Sequence, residues 1–244
     1  INNYIISAGH LIRFTKKGIF CPDANVYIDP WGKVDKALIT HGHSDHARKG
    51  NGSYLCHNYS VGILKHRLGS NISVQGIEYN SPLLINGIKF TFYPAGHVVG
   101  SAQIKIENNK ESWVISGDYK VKPDTIATDF EPVKCDYFVT ESTFGIPAFQ
   151  WEDPKIVFNN INAWWQENAS NNITSIISAY SLGKAQRIIQ GIDHAIGPVL
   201  THIAVENING PILILSAKED EQWPASRMSN RIIERLTEKQ FKHT

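Results

Sequence analysis

Short runs of apolar residues separated by turn residues dominate the first 140 positions of the chain, and they predict β-strands. The predicted strands cover residues 25–29, 36–40, 83–85, 88–93, 103–107, 112–116 and 137–140. Asn86-Gly87 lies between two of these runs and is typical of a tight hairpin turn. The first part of the chain is therefore predicted to be rich in β-structure.

A helical pattern replaces the strands after residue 150. Asp153-Pro154 supplies an N-cap followed by proline at the first helical position, and the apolar periodicity runs on to Trp165. A further strand is predicted over residues 173–178, and a second helix begins at Lys184. A β-rich half followed by β and α alternation predicts the α/β fold class.

Composition narrows the function classes. The 244 residues are 42% hydrophobic and include six tryptophans, so the chain can bury enough apolar surface to fold. The formal net charge of +1 provides no global attraction to polyanions, so nucleic-acid binding would need a local basic patch. We expect a soluble cytoplasmic protein with no membrane partner, because no apolar run reaches the length of a membrane span and no leader pattern opens the chain. Three widely spaced cysteines are expected to be reduced thiols.

The strongest chemical signal is His41-Gly42-His43-Ser44-Asp45-His46, directly after the predicted strand 36–40. A loop at a strand end can turn alternate side chains inward, so His41 and His43 could bind one divalent ion while Asp45 and His46 face a second.

Two later segments offer further ligands. His97 follows the strand that ends at residue 93, and Asp118 follows the strand 112–116. Either residue alone could be an ordinary polar loop residue. Together with the first cluster, they predict a two-metal centre.

Four motifs together resemble the metallo-β-lactamase-fold nucleases of the β-CASP group. They are HGHSDH at 41–46, AGHVVGSA at 95–102, SGDYK at 116–120 and TESTFG at 140–145. Within that group, THGHSDHARKGN at 40–51, SYLCH at 53–57, FEPVKCDYFVTESTFGIP at 130–147 and AYSLGKAQRII at 179–189 are most similar to the bacterial ligase-associated DNA exonucleases. The likeness covers residues 3–207. It implies an αββα sandwich over residues 1–147, incomplete in this chain, and the start of a β-CASP-like α/β region over residues 148–207.

The resemblance also implies roles for individual residues. His41, His43 and His97 would hold one zinc ion, Asp45 and His46 would hold a second, and Asp118 would bridge the two, with Mn²⁺ as an alternative cation. Asp45 would orient the water that acts as nucleophile. Glu141 would lie beside the metal centre and orient a ligand or pass a proton, unless it is an acidic cap of the segment that follows it.

The predicted substrate is DNA, cut from a 3′ end during repair, with RNA as the near alternative. Basic residues close to the motifs are candidate phosphate contacts: Arg48, Lys49, Lys184 and Arg187. By resemblance, a DNA ligase or a helicase would be the partner protein.

The resemblance ends near residue 207. Family members continue and deliver a last histidine to the second metal, so the second site of this chain is expected to have an incomplete ligand set. Residues 208–244 are a separate C-terminal segment that resembles instead the C-terminal part of α/β-hydrolases of the acyl-CoA thioesterase and bile-acid acyltransferase type. The likeness is carried by residues 208–224, with Asp220 at the position of the triad acid.

Two functions of other classes stay open. Ser181 lies in a turn that resembles a nucleophile elbow, so Ser181 and Asp220 could serve an esterase that is insensitive to chelators. The second of these functions is that of a fragment that binds metal but catalyses no reaction. This hypothesis predicts bound zinc without hydrolysis.

Overall fold

The computed structural model describes residues 11–199 of the chain. The chain divides into two compact units, and the boundary between them lies between Phe149 and Gln150. The described strands of the first unit are β1 Arg13–Thr15, β2 Gly18–Cys21, β3 Val26–Ile28, β4 Lys36–Leu38, β5 Ser53–His57, β6 Val74–Ile77, β7 Pro82–Ile85, β8 Ile88–Pro94, β9 Ala102–Glu107, β10 Ser112–Ile115 and β11 Tyr137–Val139, and its helix is α1 Asn58–Leu68.

Two sheets organise the first unit. One has the strand order β1-β2-β3-β4-β5-β6, and the other has the order β11-β10-β9-β8-β7. In the first sheet β3, β4, β5 and β6 run parallel, so the loops that leave β3 and β4 emerge at the same edge. In the second sheet β8 and β9 are antiparallel with Pro94 opposite Ala102, which places the 95–101 loop at one end of that pair.

The main core lies between the two sheets. Apolar side chains from both sheets are buried there, among them Val26, Ile28, Leu38, Phe90, Phe92, Ile104 and Trp113. A second cluster lies on the other face of the first sheet, where Leu64 and Leu68 of α1 pack with Ala37, Ile39 and Cys56. The first unit is thus layered as sheet, sheet and helix, and the mixed α/β fold class predicted from the sequence is confirmed.

The predicted strands agree with the structure where local signals are strong. Asn86 and Gly87 both have positive φ and join β7 to β8, which confirms the predicted hairpin. Strands β1, β2, β5 and β6 and helix α1 were not predicted. In α1, Gly62 lies in the middle of the helix and polar Ser60 is buried, so the sequence lacks a clear apolar face.

The second unit contains the helices α2 Pro154–Ser170 and α3 Lys184–Gly191. Both helices confirm the sequence prediction, and the Asp153 side chain accepts a hydrogen bond of 2.8 Å from Lys155 N as an N-cap. The predicted strand over residues 173–178 is wrong, because within the described chain this segment has no paired strand and only pairing fixes a strand. None of the described helices is long and apolar enough to cross a membrane. Residues 208–244, including Asp220, lie outside the described residues.

Candidate metal centre

Thr40 joins the two sheets at the edge where the predicted ligands gather. Its carbonyl oxygen accepts a hydrogen bond of 2.8 Å from Ala102 N, the first residue of β9. Gly117, which follows β10, packs against the Thr40 side chain and has φ +55°. A Cβ atom at Gly117 would lie 2.5 Å from Thr40 Oγ1, so a larger residue there would force the loops apart. This junction brings the loops after β4 and β10 together.

Four ligand residues from three loops meet at this edge. His41, His43, His97 and Asp118 each offer an atom within 4.8 Å of the others. His43 Nδ1 is 3.0 Å from His41 Nε2 and 3.3 Å from His97 Nε2. Two ligands of a tetrahedral zinc ion are about 3.3 Å apart, so both of these distances are close to the separation of neighbouring ligands in such a site.

Asp118 lies between two groups of ligands. Its Oδ2 is 3.8 Å from His41 Nε2 and 3.6 Å from His97 Nε2, whereas its Oδ1 is 3.2 Å from His46 Nε2. His46 Nε2 is also 3.6 Å from Asp45 Oδ2. The structure therefore brings together all six predicted metal ligands, with the two oxygens of Asp118 directed to different groups.

Asp29 is a residue of this candidate site that the sequence analysis missed. It follows β3, is buried, and accepts three hydrogen bonds: from Thr40 N at 2.8 Å, from Thr40 Oγ1 at 2.6 Å and from His46 Nδ1 at 2.7 Å. Since Nδ1 of His46 donates to Asp29, it is Nε2 that faces the other ligands, 3.2 Å from Asp118 Oδ1, and that could bind a metal ion after losing its proton. A lone aspartate after a short strand carries no signal of this role in the sequence.

The same network orients His41. Thr40 Oγ1 donates its proton to Asp29, so it can accept from His41 Nδ1 at 3.1 Å. This fixes the tautomer in which His41 Nε2 carries the lone pair. Ser101 Oγ holds the third ligand loop by accepting from His97 N at 3.1 Å.

Arg67 of α1 is a second residue that the sequence analysis missed. Its guanidinium donates hydrogen bonds to the carbonyl oxygens of Gly42 and Ala47, at either end of the ligand loop. Nothing in the spacing around Arg67 predicts this contact, because α1 reaches the loop only through the packing of the helix on the first sheet.

The electrostatics of the site favour a cation. Burial lowers the pKa of His41 well below its usual value, so this ring is neutral and able to coordinate. Burial also opposes ionisation of Asp118, but the hydrogen bond and charge of His46 outweigh it and lower the Asp118 pKa. Burial would lower the pKa of His46, yet its hydrogen bonds to Asp118 and Asp29 outweigh burial and raise that pKa to about 10. At neutral pH His46 is therefore protonated, and it would have to release its Nε2 proton to bind a cation. Once that proton is lost, neutral imidazole nitrogens and ionised carboxylates form the donor set of a zinc-type site, and these residues fit one.

The other predicted site residues lie in different places. Glu141 follows β11, and its Oε2 accepts a hydrogen bond of 2.6 Å from Thr143 N. Arg48 and Lys49 are exposed directly after the ligand loop, and Arg48 Nε lies 3.4 Å from Asp45 O. Lys184 and Arg187 lie on α3 of the second unit, where Lys184 Nζ is 5.1 Å from the centre of the Tyr180 ring.

Ser181 is exposed and lies in the turn before α3. Its carbonyl oxygen accepts a hydrogen bond of 2.8 Å from Gln186 Nε2, which helps to close that turn.

Known proteins resemble this chain over part of its length. No family model matches the chain. The chain is 26% identical to a probable DNA ligase of Opitutus terrae over 76% of its own length. It is 29% identical over 49% of its length to endoribonuclease YSH1 of Yarrowia lipolytica, and 27% identical over 54% to subunit 3 of the cleavage and polyadenylation specificity factor of Dictyostelium discoideum. These matches support the resemblance of the chain to the metallo-β-lactamase-fold nucleases of the β-CASP group. The chain spans between 14% and 18% of the length of these three relatives.

Proposed function

We propose that this chain is a zinc-dependent phosphodiesterase that shortens DNA from a 3′ end during repair in the cytoplasm. The observation that carries the proposal is the position of Asp118, with one oxygen toward His41 and His97 and the other toward His46. A carboxylate shared in this way is suited to bridging two cations, and paired cations suit phosphodiester hydrolysis.

The six ligands divide into two sites. His41, His43 and His97 would hold the first zinc ion, Asp45 and His46 would hold the second, and Asp118 would contribute to both. Among the described residues the second ion thus has three protein ligands, which is also the usual number at catalytic zinc sites, where water takes the remaining position. Mn²⁺ is the alternative occupant, since carboxylate ligands suit it.

The bound cations would lower the pKa of a water molecule and offset the negative charge of the phosphate. Asp45 is suited to orient that water and accept its proton, because its side chain is 70% exposed and its Oδ2 lies beside His46 Nε2. Thr40 and Asp29 hold His41 and His46 in their ligating tautomers, and Arg67 fixes the ends of the loop that carries them. Glu141 lies just beyond β11, where it would orient a ligand or pass a proton.

The preference for DNA is supported by the extent of the sequence matches. The probable DNA ligase matches 76% of this chain, whereas the endoribonuclease of Yarrowia lipolytica matches 49%. A nuclease beside a ligase would prepare DNA ends for joining, so a ligase or a helicase is the expected partner protein. RNA processing is the second candidate function, and the match to the endoribonuclease of Yarrowia lipolytica favours it.

The first experiment measures the metal content of the purified chain by elemental analysis. It is combined with digestion of DNA and RNA of one sequence, labelled at the 3′ or the 5′ end, with and without a chelator. We expect two zinc ions per chain and chelator-sensitive loss of the 3′ label from DNA. Preferred cleavage of RNA would favour the second function, and absence of bound metal and of cleavage would refute both.

Variants connect the activity to the site. Asp118→Ala should abolish cleavage while the circular dichroism spectrum is unchanged, whereas Asp23→Ala, an exposed carboxylate in the β2–β3 turn, should cleave normally. Ser181→Ala should also cleave normally. Loss of activity in Ser181→Ala equal to that in Asp118→Ala, or an ester hydrolysis that survives the chelator, would support the esterase function instead.

A further inference from the structure

An exposed tryptophan lies on the loop that starts at the metal centre. Trp31 follows Asp29 by two residues, and its side chain is 57% exposed. The backbone of Trp31 is fixed on both sides: its N–H donates to Lys17 O at 2.8 Å, and its carbonyl oxygen accepts from Arg48 Nη1 at 3.3 Å. A large apolar ring is therefore presented to solvent by backbone that is held in place.

Four basic side chains share this surface: Lys17, Lys33, Arg48 and Lys49, all of them exposed. Lys17 lies along the Trp31 loop, since a Cβ atom at Gly32 would be 3.3 Å from Lys17 Cγ. Lys33 reaches across to the segment after the ligand loop, since a Cβ atom at Gly50 would be 3.0 Å from Lys33 Cε. Asp35 is the exposed acid of the same loop. The surface is thus positively charged, although the net charge of the whole chain is only +1.

Arg48 connects this surface to the metal ligands. The same guanidinium that bonds Trp31 O places its Nε 3.4 Å from the carbonyl oxygen of Asp45. The Cα atoms of Asp29 and Trp31 are at most about 7 Å apart, because they are two residues apart in the chain. A strand that rises about 3.4 Å per stacked base would pass from the metal centre to the indole within a few nucleotides.

We propose that Trp31, Lys17, Lys33, Arg48 and Lys49 form a subsite for single-stranded nucleic acid, named here the Trp31 subsite. The indole of Trp31 stacks on one base of the strand whose end lies at the metal centre, and the cations contact the neighbouring phosphates. Aromatic rings among basic side chains bind single strands in this way without reading sequence. The proposal rests on the proposed function, because it takes the same strand as the ligand of both sites.

Binding to the metal-free chain tests the Trp31 subsite directly. A fluorescein-labelled single-stranded oligothymidine is titrated with protein in the presence of a chelator, and its anisotropy is followed. Trp31→Ala should weaken binding about ten-fold, the effect of losing one stacked base. Trp31→Phe should recover most of the affinity because it keeps a stacking ring. Leu84→Ala removes another exposed apolar side chain, at the β7–β8 end of the second sheet, and should bind as tightly as the unsubstituted chain.

The basic side chains of the Trp31 subsite are tested separately. Lys33→Ala should reduce the dependence of log affinity on log salt concentration by about 0.7, the value for one phosphate contact on a single strand. Lys110→Ala is the matched control, since Lys110 is exposed in the β9–β10 turn, at the far end of β9 from Thr40. It should leave the salt dependence unchanged.

An oligothymidine series with one abasic position, moved along the strand, shows whether a single base is stacked. The unsubstituted chain should lose affinity at one position only, and Trp31→Ala should lose nothing further there. Equal binding by Trp31→Ala and the unsubstituted chain would overturn the proposal. So would a Trp31→Phe variant as weak as Trp31→Ala, because the effect would then come from the loop rather than from stacking.

Hydrolysis of bis(4-nitrophenyl) phosphate separates the two proposals, because this small diester needs the metal centre and no strand. Trp31→Ala should hydrolyse it at the unsubstituted rate while its KM for oligothymidine rises and its kcat is retained. If the unsubstituted chain hydrolyses no diester but shows Trp31-dependent binding, the proposed function fails and the subsite stands. If both diesters are hydrolysed and Trp31→Ala changes neither KM nor binding, the subsite alone fails.

Discussion

Asp29 is predicted to control metal affinity although it contacts no metal ion in the proposed arrangement. Replacement by alanine removes the acceptor of three hydrogen bonds, two from Thr40 and one from His46. A hydrogen bond to a charged group contributes about 1.5–3 kcal/mol, and the bond to His46 is the one that fixes a ligand directly. Loss of a carboxylate behind a ligating histidine typically costs about 10–100-fold in metal affinity.

The two magnitudes agree, since about 1.4 kcal/mol corresponds to a factor of ten in affinity. We therefore expect Asp29→Ala to weaken zinc binding by about 10–100-fold at the ion held by His46. The effect on the ion held by His41 should be smaller, because Asp29 reaches that ring only through Thr40.

Asp29→Asn keeps the shape of the side chain and sharpens the test. Its amide oxygen can still accept from Thr40 N, but its NH₂ group must then face Thr40 Oγ1 or His46 Nδ1. His46 would lose its acceptor and could place its proton on Nε2, the nitrogen that faces the metal. Asp29→Asn should therefore bind zinc almost as weakly as Asp29→Ala.

The assay is a zinc titration in competition with a chromophoric chelator, with circular dichroism of the metal-free proteins as the control for folding. Asp23→Asn is the matched variant, because it removes an exposed carboxylate at the opposite end of β3. Two zinc ions bound by Asp29→Ala with the unsubstituted affinity would refute the role of Asp29 in orienting His46.

Three further predictions concern Gly117, Arg67 and His57. Gly117→Ala should weaken zinc binding about as much as Asp29→Ala in the same titration. Its Cβ would collide with the Thr40 side chain, and the φ of +55° costs a non-glycine residue roughly 1 kcal/mol. Unchanged zinc affinity would contradict this prediction. Arg67→Ala should lower the free energy of unfolding by about 1–3 kcal/mol in urea, since it leaves buried carbonyl oxygens of the ligand loop without their donor, and Arg67→Lys should recover part of the loss. His57 is buried at the start of α1, its Nδ1 accepts from Tyr59 N, and burial lowers its pKa despite the nearby carboxylate of Glu78. Because the folded-state pKa lies below the unfolded value of about 6.5, stability is full above that pH and falls as the pH drops below it, by up to about 1.4 kcal/mol per pH unit. His57→Asn, which can still cap the helix, should remove this part of the pH dependence in urea unfolding, and an identical profile in both proteins would refute the assignment.

The candidate metal ligands could be identified from the sequence because their signal is local. His41, His43, Asp45 and His46 lie within six consecutive residues after an apolar strand, so one short loop carries all four side chains to the same edge. The hairpin at Asn86-Gly87 and the helix that begins after Asp153 were predictable for the same reason, since turn and cap chemistry depend on neighbours in the chain.

The residues that hold those ligands in place could be identified only from the tertiary structure. Asp29, Thr40 and Arg67 act on the ligand loop from β3, β4 and α1, and their contacts exist only because the parallel strands and the packed helix bring separate segments to one edge. Strand pairing between distant segments leaves little trace in the local pattern, which is why β5, β6 and α1 were missed while their neighbours were predicted. The sequence by itself determined which side chains can bind the metal, and the packing of the two sheets at Thr40 decided their tautomers, their spacing and the basic surface beside them.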